Sequence, residues 1–169
     1  MGVNPIWHGA RHRMKYTLGQ VKEILPISQD TYRHWKITLP PLSGRNGHTR
    51  CFSLGDLLAM AIVKALAEEV GIRVGNLQSV AGELFEHCDS NSWAGLERST
   101  FVIDQSRARV TSVPEAQALT LDGLAIVLPC RPIIAGLRER LLLGREPTEQ
   151  EPLRFPPTAL PGGQRRQGA

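Results

Sequence analysis

The strongest constraint on the fold is a proline that interrupts a helical pattern. Leu18, Val21, Ile24 and Leu25 fall on one face at helical spacing, with Thr17 in front as an N-cap, and Pro26 ends the run. Two residues later Ser28 can cap a second helix, with Asp30 in its first turn, where a negative charge suits the helix dipole. The pattern predicts helices over 18–25 and from Ser28 to about Lys36. Helices this short are marginal alone, so each must bury its apolar face against the rest of the chain. Two short helices joined by Pro26-Ile27-Ser28 form a tight helix-turn-helix unit.

Beyond Lys36, Pro40 and Pro41 are expected to break any helix. Ser43-Gly44-Arg45-Asn46-Gly47 is a turn signal, so residues 37–51 read as a two-stranded wing with a basic tip. Ser53 caps a third helix, from Leu54 to about Val70, stopped by Gly71. A fourth helix is expected over about Gly75–Cys88. Residues 90–99 read as a polar linker or long loop. Phe101–Ile103 and Ala108–Val113 are strand candidates, and Leu124–Leu128 reads as a buried strand. A last helix starts near Pro132 and reaches Leu143. The segment from Glu146 on, rich in proline, is expected to be disordered or extended. The fold class is therefore α+β: a mainly helical winged helix-turn-helix domain (16–89) after a flexible basic arm (1–15). A small α/β accessory, dimerisation or ligand-binding segment (90–145) and a disordered tail (146–169) follow.

The net charge of +4 over 169 residues is uninformative until it is divided along the chain. Residues 11–50 carry eight basic and two acidic side chains, a net +6, whereas residues 51–89 carry a net −4. A located basic segment suits a polyanion better than a diffusely basic protein would. No run of about 18 apolar residues is present, which excludes a transmembrane helix. Cys51, Cys88 and Cys130 are odd in number and far apart, which argues against a disulfide framework and for a reducing, cytoplasmic setting. His87-Cys88 is the only close His/Cys pair, so no metal site or other cofactor is expected. Cys88 reads instead as a buried helix residue. The chain carries no Walker loop, no His-Glu-x-x-His and no Gly-x-Ser-x-Gly, and no enzymatic activity is expected.

Four fragments in order then suggest a family: Tyr16-Thr17-Leu18-Gly19-Gln20-Val21, Ile27-Ser28-Gln29-Asp30-Thr31-Tyr32-Arg33-His34-Trp35, Arg50-Cys51-Phe52-Ser53-Leu54-Gly55-Asp56-Leu57 and Gly71-Ile72-Arg73-Val74. Together they resemble the opening of MerR-type winged-helix transcription regulators over about residues 16–85. The chain departs from that pattern at His34-Trp35-Lys36 and at Gly47 and Thr49 in the wing. It also lacks the long dimerising helix after Cys88. The resemblance implies a cytoplasmic bacterial or phage regulator that binds double-stranded DNA as a homodimer, with any small-molecule or protein effector at the C-terminal segment. Excisionase-like architectural proteins of mobile elements share the winged-helix type. A protein-interaction or small-molecule-binding module built on a winged helix that does not bind DNA is a further alternative.

In a helix-turn-helix the second helix enters the major groove while the first crosses the backbone. The base-edge candidates are Ser28, Gln29, Thr31, Tyr32, Arg33 and Lys36, since Arg can donate two bonds to guanine and Gln can pair with adenine. Thr17 is placed for a backbone phosphate. The wing tip, Arg45, Asn46, His48 and Arg50, suits phosphate or minor-groove contact. His34 and His48 are either phosphate donors or plain surface residues. Tyr32 is either a base contact or core, Trp35 is read as core, and Arg33 contacts DNA or pairs internally with Asp56.

Overall fold

The structure is a computed structural model, which describes residues 14–45, 51–104, 107, 109–114, 117, 121 and 123–143. Helix α1 (Leu18–Ile24) opens on Thr17, whose hydroxyl accepts the Gln20 amide while Gln20 reaches back to the Thr17 amide. This capping box satisfies two amides the first turn would otherwise leave open. Four residues connect it to α2 (Gln29–Thr38), which Ser28 caps through the Thr31 amide. The boundaries follow the punctuation by Thr17, Pro26 and Ser28, with α2 running two residues further than expected.

The chain after α2 departs from a two-stranded wing. Pro40–Ser43 forms a helical turn, α3. The prolines occupy its first two positions, where the missing amide hydrogens would have no helical partner anyway. The extended contact near the wing's base is a single antiparallel bridge between Tyr16 and Phe52, with Tyr16 donating to the Phe52 carbonyl at 2.8 Å. Residues 46–50 of the expected wing, residues 1–13 of the expected arm (1–15) and the whole expected tail (146–169) lie outside the described residues.

Helix α4 (Leu54–Glu68) is the centre of the molecule. Every residue from Gly55 to Val63 is buried, so it is enclosed on all sides. Ser53 caps it in a second capping box with Asp56. Gly71 follows at φ +76°, a left-handed conformation that glycine adopts without steric cost. A 3-10 turn (Val74–Leu77) leads into α5 (Gln78–Ser90), which packs along α4. The approach is closest at Gly55: a Cβ there would stand 2.5 Å from the Asp89 Cα. Ser53 Oγ fixes the same junction by donating to Asp89 Oδ1 at 2.8 Å.

The stretch 90–99 is not a simple linker, because Ser92 caps a short helix, α6 (Trp93–Leu96). Strands β1 (Ser99–Asp104), β2 (Arg109–Pro114) and β3 (Ile126–Pro129) form an antiparallel sheet in the order β2-β1-β3. Phe101 and Ile103 of β1 and Val110 of β2 face inward. The expected buried strand at 124–128 is an edge strand that starts later: Leu124 is 96% exposed and Val127 is 41% exposed. A strand buried on one face alternates, and the apolar run concealed that alternation. Helix α7 (Cys130–Leu143) closes the fold. One continuous core links Val21, Trp35, Leu58 and Phe85 to Phe101, Cys130, Ile134 and Leu137. Across it the Arg140 guanidinium donates to the Ile24 carbonyl at 3.3 Å. The architecture is thus mixed helix with a small antiparallel sheet. Among the described residues no helix is long and apolar enough to cross a membrane.

Candidate nucleic-acid interface

Helix α2 divides into two faces. Tyr32 and Trp35, each 3% exposed, join the core, while Gln29, Asp30, Arg33, His34 and Ile37 stand in solvent. The solvent face recurs at 29, 33 and 37, the i, i+4 spacing of one helix stripe. Arg33 Nη1 lies 3.2 Å from Asp30 Oδ1, both well exposed. Such a pair contributes little and its members are readily redirected. Asp56, the internal partner considered for Arg33, is engaged elsewhere.

Other candidates are occupied by structural work. Thr17 is consumed by its capping box. Ser28 Oγ and Thr31 Oγ1 share a hydrogen bond at 2.8 Å in addition to the cap. Tyr32 is a core residue: its ring meets Phe52 edge-on at 6.1 Å between centroids. Burial pushes its phenol pKa up, the Cys51 thiol adds to that shift, and the Arg45 guanidinium opposes it.

Arg45, expected at a wing tip for phosphate contact, is instead an internal anchor. Its Nη1 and Nη2 donate to Asp56 Oδ2 and Oδ1 at 2.6 and 2.7 Å, in the fork geometry that suits a carboxylate. Nη1 also donates to the Cys51 carbonyl at 2.7 Å, and Nε donates to the Pro41 carbonyl at 3.1 Å. The guanidinium stands 5.4 Å from the Phe52 ring centroid. The α3 turn brings Arg45 back onto the first turn of α4, which a hairpin would have carried outward. Asn46, His48 and Arg50 lie outside the described residues.

Between α1 and α2 runs a groove of about 390 Å³, bounded by Leu18, Gly19 and Lys22 on one side and Gln29, Tyr32, Arg33 and Lys36 on the other, with Arg45 at its margin. Four of these residues are cationic and none is acidic. Lys22 Nζ donates to Gln29 Oε1 at 2.9 Å, tying the two helices together. The sequence reading missed Lys22 and Ile37. Lys22 lies four residues after Leu18 and so borders the apolar face of α1. Ile37 is 80% exposed because α2 continues through Thr38.

Among the described residues no group of three or more His, Cys, Asp or Glu is placed to hold a metal. Cys88 and Cys130 are both buried, and burial, followed by the charges of Cys130, Asp56 and Asp89, pushes the Cys88 thiol far up. None of the family models, curated proteins and solved structures compared with the chain matches it.

Proposed function

We propose that this protein is a sequence-specific double-stranded DNA-binding transcription regulator of the MerR-like helix-turn-helix type, acting as a homodimer on a two-fold site. The observation that carries this reading is the solvent face of α2, where Gln29, Arg33, His34 and Ile37 stand in solvent beside a groove lined by Lys22 and Lys36 as well as by Arg33 and Arg45, which are paired with Asp30 and Asp56. Arg33 and Gln29 supply the bidentate chemistry that reads guanine and adenine, and Ile37 offers an apolar contact for a thymine methyl. Lys22 and Lys36 flank the stripe, on the side where a backbone strand would pass if α2 lay in the major groove.

The test is titration of the full chain against duplex genomic fragments at several salt concentrations. Affinity is expected to fall steeply as salt rises. Binding that is absent at low salt, or insensitive to salt, would refute the reading.

A second reading, a small-molecule-binding module to which the C-terminal segment contributes, has one observation in its favour. A groove of about 840 Å³ between α1 and the end of α7 is lined by Ile24, Leu54, Trp93 and Leu141, and the buried Trp93 Nε1 has no partner among the described residues. A volume of that size suits a small ligand. Saturable quenching of tryptophan fluorescence by small molecules, in a chain that ignores duplex DNA, would favour this second reading.

A further inference from the structure

The side-chain hydrogen bond between α1 and α2 does more than hold two helices together. Lys22 Nζ donates to Gln29 Oε1 at 2.9 Å. An ammonium offers three donors and no acceptor, so the amide atom that faces it is the carbonyl oxygen. The bond therefore fixes which way round the Gln29 amide sits and leaves Nε2, with its two N–H donors, as the end turned from Lys22. Lys22 is half-buried on the wall of the groove, and Gln29 is the exposed first residue of α2. In a helix-turn-helix that N-terminal position of the second helix is the one that reaches base edges.

Adenine and guanine ask different things of such a side chain. In the major groove adenine presents an acceptor, N7, and a donor, the N6 amino group, so a glutamine that reads it must offer Nε2 to the first and Oε1 to the second. Gln29 Oε1 is bonded to Lys22. Turning it to an adenine amino group breaks that bond or sets the ammonium beside a second donor. Guanine presents two acceptors, N7 and O6. Gln29 Nε2 can donate to one of them with the Lys22 bond intact, and the nearby ammonium suits the other. One turn further along α2, Arg33 Nη1 meets Asp30 Oδ1 at 3.2 Å, which leaves Nη2 and Nε as donors for a base.

We propose that Lys22 is a positioning residue for base recognition, an inference that rests on the reading of the protein as a DNA-binding regulator. By holding Gln29 Oε1, it turns a side chain that would alone suit adenine into a reader of guanine. Gln29 and Arg33 then both read guanine, and the target half-site carries a guanine at each of the two positions they face.

The experiment selects bound molecules from a randomised duplex pool with the full chain and with Gln29→Ala, Lys22→Met and Lys22→Arg, each checked for an intact fold by thermal unfolding. The base pair whose preference relaxes in Gln29→Ala is the one Gln29 reads. There the parent is expected to take guanine over adenine by about tenfold, the order of one well-matched base contact. The guanine-to-adenine ratio should fall about tenfold in Lys22→Met, which frees Oε1, and be retained in Lys22→Arg, which keeps a cationic donor. A bond that merely ties the helices together would weaken every duplex alike and leave the ratio where it was. In the free protein the Gln29 side-chain amide resonances should move in Lys22→Met. An unchanged ratio, adenine preferred by the parent, no position relaxed in Gln29→Ala, or amide resonances indifferent to Lys22→Met would each overturn the inference while the DNA reading stands. A parent chain that enriches no sequence refutes the DNA reading itself, and the guanine preference falls with it.

Discussion

Replacing Arg45 with methionine would keep most of the side chain's apolar stem and leave the Asp56 carboxylate buried, 8% exposed at the side chain, without its cation. Asp56 would retain only the Ser53 amide, at 2.7 Å to Oδ2. Breaking a buried pair by removing one partner costs about 3–5 kcal/mol. Arg45 is a quarter exposed, so water can partly reach the vacated site, and the expected loss is roughly 2–4 kcal/mol. For a chain of this size that lowers Tm by about 5–15 °C. Urea unfolding of Arg45→Met, Asp56→Asn and the double variant would measure the coupling, expected at about 1–3 kcal/mol. The salt slope of DNA binding, measured well below Tm, should stay that of the parent, because Arg45 is committed to the fold. A loss under about 0.5 kcal/mol, the range of an ordinary surface change, would refute the anchoring.

Gly55→Ala should cost about 1–3 kcal/mol, toward the upper end, because the new Cβ meets backbone atoms of Asp89 and Cys88 that cannot rotate away; thermal unfolding reads it directly. Stability should decline in alkali. The Cys88 thiol ionises near 9.0 when unfolded and is held protonated above that in the fold, so its contribution is complete below that pH. Above it each pH unit removes about 1.4 kcal/mol, a slope that Cys88→Ala should flatten in urea unfolding at stepped pH. Truncation after Asp89 removes Leu96, Phe101, Ile103, Val110, Cys130, Ile134 and Leu137 from the core. At about 1.5–3 kcal/mol per large apolar side chain the loss is comparable to a typical net stability of about 5–15 kcal/mol, so fragment 1–89 should show no cooperative unfolding by circular dichroism.

What the sequence disclosed was local. Thr17, Ser28 and Ser53 announce their helices because a cap needs only its own first turn, and Gly71 ends α4 for a reason contained in one residue. Pro40 and Pro41 misled because proline both breaks helices and begins them, and only the packing of Leu42 decides which occurs. The reading of Arg45 as a wing-tip cation failed for the same reason: its partner lies eleven residues away and meets it only once α3 has turned the chain back. Leu124 to Leu128 looked uniformly buried because apolar content does not reveal which strand takes the sheet edge. The stripe at 29, 33 and 37 was half legible. Its spacing was present in the sequence, but Tyr32 was open between base contact and core, and Ile37 was expected in the wing; Tyr32 is core, and Ile37 joins the stripe because α2 continues through Thr38.

In the proposed function the outward face of α2 reads bases in duplex DNA. Selection of bound molecules from a randomised duplex pool, carried out in parallel with the parent chain and Arg33→Ala, tests it most directly. The parent should enrich a two-fold motif, and Arg33→Ala should lose about 1–3 kcal/mol on that motif and relax the preference at one base pair of each half-site. No enriched sequence for the parent, or the same motif recovered with the same affinity by Arg33→Ala, would contradict it.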